Sequence, residues 1–506
     1  MFSQSTTCIS VVLPYLFPTH TILTYTQYFS NTPWPAPHTI ASECNGDPLF
    51  LAIYRELTHR HWHAVSRPSV QDRIEGWDVY RELFDEILMD AEDGGASLQN
   101  PKFFLTAEWV FDILNEFVYQ FQGFCQFRTA LHNSATKHGI LGPLDGNGMP
   151  TIVTGTKKAP HHVVENTQTM QASGDAPWAV ETVLHYLHRL VAIGTDPKCT
   201  APAYQYLGIF ASVSLSRLEC LLSDFNASLA AMAPLFSGVS IQKADMEQPQ
   251  SAMQAVHSVL PAHVSLTYHA AISFVLLRRY KDAVVILNDL CATLQRGFKT
   301  GELKRRADSD QLFKNYDRLI ALLALCTALC PAAVVDEALL RTLRDKHGAQ
   351  ISRHDYADLY AACAPKYVSP NLPSFVQDSA PMANAYQHQV AVTLKEWNPQ
   401  ASFHQLRSYL KLYTSIPVSK VEAFGNDPTT LVALKLKLRQ LEQGDDTTTT
   451  TPELKSCLDL YYYIEDEVVH IVQAESSRPR FETYFVHQIS NQLELQEQVK
   501  QISTKI

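Results

Sequence analysis

Three histidines at alternate positions, His59, His61 and His63, form the most suggestive chemical grouping in the sequence. On a helix, His59 and His63 stand four apart and share a face, while His61 points away. A zinc site built on two histidines needs further ligands from elsewhere, so an ordinary helix surface is expected here. Cys326 and Cys330 are also four apart, but both lie in the apolar run LIALLALCTALC and read as core residues. His161-His162 falls in a polar stretch and reads as solvated, and Glu465-Asp466-Glu467 reads as a charged turn, without the alternating oxygens and glycine of a calcium loop. In Gly155-Thr156-Lys157-Lys158 the glycine is followed by threonine where a phosphate loop requires lysine. Gly146-Asn147-Gly148 lacks the third glycine and the strand-to-helix setting of a dinucleotide site. Neither G-x-S-x-G nor H-E-x-x-H occurs. The residues therefore nominate no catalytic, cofactor or metal site, and no cofactor is expected.

The bulk numbers agree with a binding role. With 506 residues, 46% of them hydrophobic, the chain can bury a core in more than one domain. Its net charge of -10 argues against general affinity for polyanions. The ten scattered cysteines contain no CxxC pair and fit a reducing compartment. The first charged residue is Glu43; no basic residue leads, and Pro14 and Pro18 break the early apolar run, so no secretory signal is expected. No run of about 18 apolar residues marks a membrane span, and a cytoplasmic protein is the expectation. Residues 1–27 have no reading.

Helices must position whatever surface functions. Apolar residues at helical spacing predict helices over 50–60, 107–124, 178–193, 206–223, 265–280, 281–295, 312–329, 336–346 and 354–364. Trp109, Ile113, Phe117 and Phe121 repeat every four residues. Ala271, Phe274, Tyr280, Ala283 and Leu287 fall at the spacings of a tetratricopeptide-type hairpin, in which a small residue lets helices approach. Phe225 and Ser228 repeat the aromatic-to-small step. Proline and glycine clusters predict a long variable linker over 129–177 and breaks over 366–381 and 444–452, the last containing five threonines.

After Pro399 the pattern changes. An amphipathic helix over 403–414 is followed by the short segment 418–424, then by Asp427-Pro428 opening a helix to Glu442. LYYYIEDEVVHIV, residues 460–472, predicts a β-hairpin. Three helices and a hairpin make the order of a winged helix. Phe481, Phe485, Ile489 and Leu493 mark a C-terminal helix with one apolar stripe. The candidate partner-binding residues are thus Tyr461, Tyr463, Val469 and Ile471 on the hairpin and those four on the tail helix. Lys435, Lys437 and Arg439 are a candidate RNA contact; on a helix only Lys435 and Arg439 share a face. The expected fold is mainly α: tetratricopeptide-like repeats, a winged helix and a C-terminal helix. The expected divisions are a helical region over 1–128, the linker over 129–177, repeats over 178–395, the winged helix over 396–475 and the tail over 476–506.

Several blocks resemble one family in order: FSNTPWPAP (29–37), DPLFLAIYRELTHRH (47–61), EWVFDILNEFVYQFQGFCQFR (108–128), LRRYKDAVVILNDL (277–290), APKYVSPNLP (364–373), LRSYLKLYTSIPVSKV (406–421) and YYIEDEVVHI (462–471). They are similar to the subunit L family of eukaryotic translation initiation factor three. The resemblance implies a PCI-type subunit, its helical part starting near residue 300, whose winged helix associates edge to edge with sister subunits and whose tail joins a helix bundle. It implies a non-catalytic scaffold next to subunits K and E that supports assembly on the small ribosomal subunit and mRNA recruitment, with no membrane partner. Residues 1–27, 129–177 and 444–452 depart from the family pattern. A PCI subunit of another assembly such as the proteasome lid, a winged-helix nucleic-acid binder, and an enzyme without a known motif remain alternatives.

Overall fold

The computed structural model describes residues 34–92, 105–145, 149–153, 160–236, 240–241, 250–306, 308–330, 334–371, 373–376, 384–398, 406–423, 431, 439–441, 454–456 and 460–473. The chain forms two compact units, Met1–Glu396 and Trp397–Ile506. The first is mainly α, as expected. Its elements are α1 (Pro37–Ala41), α2 (Pro48–Val65), α3 (Val70–Glu92), α4 (Ala107–Lys137), the hairpin β1 (Leu141–Leu144) and β2 (Pro150–Ile152), α5 (His161–Ser173), α6 (Val180–Gly194), α7 (Pro202–Leu221), α8 (Phe225–Ala230) and α9 (Ala233–Phe236). The short pair β3 (Ser240–Ile241) and β4 (Gln250–Ser251) leads into α10 (Ala252–Ser258), α11 (Leu260–Leu276), α12 (Tyr280–Thr300), α13 (Ser309–Leu329), α14 (Glu337–Arg353), α15 (Tyr356–Cys363) and α16 (Ala385–Trp397).

Successive helices pack as hairpins, α2 on α3, α6 on α7 and α11 on α12, and α13 packs on α15. Local chemistry sets several starts: the Asp47 carboxylate accepts from the Phe50 amide, and Asp336 and Asp355 cap α14 and α15 in the same way. Tyr280, Ala283 and Leu287 are buried as the tetratricopeptide-type spacing predicts, and so is Ala271 on the facing helix. The earlier unit is joined to it by hydroxyls. Ser228 Oγ donates to the Ser216 carbonyl at 2.8 Å, and Ser273 Oγ donates to Ser228 Oγ at 3.0 Å. Buried hydroxyls must be paired, so this network fixes α7, α8 and α11 together. Among the described residues no single helix is long and apolar enough to cross a membrane.

Two departures from the sequence reading concern proline-rich stretches. Residues 129–177 are no bare linker: α4 runs on to Lys137, a hairpin follows, and α5 spans 161–173 with Val163, Thr167 and Met170 buried. Glycine and proline punctuate the turns between these elements, and the apolar face of α5 is short enough to escape a periodicity search. His161, at the start of α5, is exposed as expected.

Residues 364–371 and 373–376 are the second departure. The sequence marks them as a break, yet they form an ordered strap back to the first helices. The Val368 amide donates to the Leu221 carbonyl at 3.1 Å, Gln122 donates to the Lys366 carbonyl at 2.9 Å, and Phe375 is buried. Asn371, at φ 57°, accepts from the Val180 amide at 3.0 Å and donates to both Glu181 carboxylate oxygens at 2.9 Å. It is an N-cap for α6 supplied from 191 residues downstream, and asparagine tolerates the left-handed backbone that this needs. Asn371→Ala should therefore lower stability by about 1–2 kcal/mol. An unchanged midpoint in chemical denaturation would show that the strap does not hold α6.

α3 is absent from the sequence expectation although its signals are present. The Ser69 amide donates to Asp72, the Asp72 amide donates to Ser69 Oγ, and Trp77, Tyr80, Phe84 and Ile87 follow on the buried face. Trp178 stands before α6 with φ 57° instead of opening it, and its indole N–H donates to the Arg73 carbonyl at 2.8 Å.

Candidate interaction surface

The histidines nominated for inspection do not converge. His59 and His63 share a face, their rings 5.9 Å apart, while His61 Nδ1 accepts from the Trp34 indole at 3.2 Å. Burial lowers all three imidazoles, His63 to about 4. Among the described residues no group of three or more histidines, cysteines or acids could hold a metal. The eight described cysteines are buried, and burial pushes the Cys125, Cys220, Cys291 and Cys363 thiols up to about 12. That removes the thiolate on which cysteine reactivity depends.

A charged cluster between α2 and α4 has no counterpart in the sequence reading. Glu56 is buried, accepts from the Tyr80 hydroxyl at 3.1 Å and pairs with Arg60 at 3.2 Å. Burial raises the Asp112 carboxyl to about 6 and the Glu116 carboxyl to about 7. Asp112 and Glu116 lie one helical turn apart, a spacing visible in the sequence; their enclosure is not.

His269 gives a pH dependence that can be isolated. It is 8% exposed, its Nδ1 lies 2.7 Å from the Ser265 carbonyl, and burial lowers its pKa to about 3, with Arg217 and Arg318 adding to the effect. The unfolded chain protonates this ring near pH 6.5 and the folded chain does not, so stability is lost as pH falls below 6.5. His269→Asn keeps a donor for Ser265. The stability difference between pH 7 and pH 4.5 should shrink by about 2 kcal/mol in this variant. Equal pH profiles would refute the assignment.

The second unit holds the expected hairpin. Residues 406–410 are helical, followed by β5 (Ser415–Pro417) and α17 (Val418–Ala423). A separate antiparallel pair joins β6 (Arg439–Leu441) to β7 (Leu454–Ser456). β8 (Leu460–Glu465) and β9 (Val468–Gln473) pair across the two-residue turn Asp466-Glu467, both residues at positive φ (44° and 59°), as a type I′ turn requires. The three-stranded sheet has the order β5-β9-β8, which leaves β8 at its edge among the described residues. Leu406, Leu410, Ile416, Val421, Leu431, Tyr462 and Val469 form the small core beneath it. The Tyr462 hydroxyl donates to the Leu431 carbonyl.

Register decides which hairpin side chains are available. Tyr461 pairs with Val472 and Tyr463 with His470; Tyr462 pairs with Ile471 and Ile464 with Val469. Side chains alternate between faces. Tyr462 and Val469 are in the core, so the Tyr463, His470 and Val472 face is the outer one. Tyr463 is 48% exposed and stacks on His470 at 5.1 Å, and Val472 is 52% exposed. Two interface expectations are corrected on this basis: Val469 is fully buried and Ile471 packs against the core. Tyr461 pairs with Val472, and Val472, absent from the expectation, belongs to the outer face. The closure of the turn on two residues sets this pairing.

The basic candidates are also revised. Arg439 lies on β6, so the helix expected to reach Glu442 does not include 439–441, and the four-residue helical spacing that joined Arg439 to Lys435 does not apply. The 454–456 segment offers backbone partners that draw 439–441 into a strand. Lys435, Lys437, Phe481, Phe485, Ile489 and Leu493 lie outside the described residues.

With the fold and this surface established, comparison with known proteins gives a consistent result. Eukaryotic translation initiation factor 3 subunit L of Xenopus laevis is 27% identical over 512 residues, covering 95% of this chain and 82% of the relative. The proteins of the same name from Nematostella vectensis and Drosophila melanogaster are each 28% identical, over 92% and 94% of this chain and 84% and 86% of their own lengths. A family model described as Paf67, RNA polymerase I-associated factor PAF67, matches residues 72–492, which take in both the helical repeats and the hairpin. The chain belongs to the Paf67 family.

Proposed function

We propose that this protein is a non-catalytic scaffold subunit of a translation initiation factor 3 assembly, supporting its assembly on the small ribosomal subunit and mRNA recruitment. The observation that carries the reading is the outward apolar face of an edge hairpin, Tyr463 and Val472, in a chain similar along 95% of its length to relatives named as subunit L of that factor. A solvent-facing pair of large apolar side chains on the outer face of a sheet suits association with another subunit. The second unit is read as a winged helix over 396–475 within a PCI-type arrangement, and 476–506 as a helix that joins a bundle of sister helices. Subunits K and E are the proposed neighbours and the cytoplasm the proposed location. RNA contact is a lesser part of this reading, because net charge and fold by themselves do not imply it.

Affinity purification of the tagged full-length protein from its native cytosol, followed by mass spectrometry, tests this directly. Recovery of other initiation factor 3 subunits with small-subunit ribosomal proteins is the expected result. Recovery of proteasome lid, signalosome or RNA polymerase I subunits in their place would overturn the assignment to translation.

A further inference from the structure

A cavity of about 670 Å³ opens in the first unit between α4, α7, α11, α13 and the chain just after α15. Two guanidinium groups face it. Arg217, on α7, donates to Asn115 Oδ1 at 2.5 Å and to Gln122 Oε1 at 3.3 Å. Arg318, on α13, donates to the Tyr268 hydroxyl at 2.7 Å and the Ala364 carbonyl at 3.3 Å, and lies 4.6 Å over the Tyr268 ring. Every one of these partners is neutral. Among the described residues no carboxylate forms an ion pair with either arginine; Glu116, whose charge acts on Arg217, accepts from Gln120. Lys366 adds a third cation at the exposed rim.

A half-buried guanidinium with only neutral partners retains most of its attraction for a carboxylate, and its planar fork suits one. The remaining walls restrict what can carry that carboxylate. Gln311 and Asn315 offer both donors and acceptors, as a peptide backbone needs, and Phe111, Val264 and Leu319 offer apolar contact. The volume lies in the range of enclosed binding sites, about 300–1,000 Å³. Two arginines do not make the basic track that a nucleic-acid backbone follows, and the chain's net charge of -10 opposes a polyanion.

We propose that this cleft is a receptor for an acidic peptide segment of a partner protein, with an aspartate or glutamate side chain seated between Arg217 and Arg318 and the flanking backbone against the amide-bearing walls. The site is independent of the outer hairpin face and of which assembly the chain joins.

The test is selection of displayed random dodecapeptides on the full-length protein, followed by fluorescence anisotropy of the enriched sequences. The expected peptides share an acidic residue, and changing it to the matching amide weakens binding at least tenfold. Arg217→Gln should produce a similar loss, and Lys366→Glu a smaller loss of about threefold. Because Arg217 also braces Asn115, circular dichroism accompanies that variant; if it does not fold, the exposed Lys366→Glu variant and the amide peptide decide. The proposal is overturned by a selection that yields no binder, by enriched peptides without acidic residues, by binding indifferent to Lys366→Glu and to the amide change, or by an oligouridylate that displaces the peptides and binds more tightly.

Discussion

Gly208→Val is expected to lower the stability of the first unit by about 3 kcal/mol or more. Gly194 on α6 and Gly208 on α7 meet where the two helices cross. A Cβ added at Gly208 would lie 2.6 Å from the Gly194 Cα, and one added at Gly194 would lie 2.4 Å from the Gly208 Cα. Both obstacles are backbone, so no side chain can swing aside and the helices must separate. Separation would loosen Tyr204, Phe210 and Leu187, all buried around the crossing. Gly348 supplies the control. It lies within α14, and an added Cβ meets nothing within 4 Å. Gly348→Ala should stabilise by about 0.5–1 kcal/mol through helix propensity and reduced unfolded-chain entropy. Chemical denaturation of the two variants should give opposite signs. Similar small shifts for both would mean that the crossing yields more readily than its geometry implies.

The second large effect concerns association. Tyr463→Asp combined with Val472→Asp is expected to abolish recovery of partner subunits, a loss of about 100-fold or more in affinity. Burying two side chains of this size contributes about 3 kcal/mol in all, and charging them adds a desolvation cost. Both side chains are on the outer face, so thermal melting of the double variant should match that of the parent. Val469→Asp should do the reverse. It places a carboxylate in a fully buried position and should unfold the second unit wherever association is measured. Full recovery of partners by the outer-face variant would move the interface off this hairpin.

Much of this was legible in advance. Helical periodicity marked α2, α4, α7, α11 and α13 because each buries a wide apolar stripe. The charged turn at Glu465-Asp466-Glu467 between two β-prone runs placed the hairpin. The structure closes the turn on two residues, Asp466 and Glu467, and that register separates Tyr463 from Val469 and Ile471. α3 was also available through Ser69, Asp72 and its apolar spacing.

Other features depend on residues far apart in the chain. Nothing near Asn371 shows that it caps a helix 191 residues earlier, since the stretch around it carries only the proline signals of a loop. Nothing near Gly194 or Gly208 distinguishes a close helix crossing from two glycines tolerated in helices. The neutral surroundings of Arg217 and Arg318 arise only when four helices and the strap converge. The sequence by itself determined the helical class, the presence of the hairpin and the family, because these rest on local periodicity, turn chemistry and ordered blocks. Only the tertiary structure decided which faces are covered, which glycines touch and which charges are enclosed, because burial is a property of the neighbours that folding brings together.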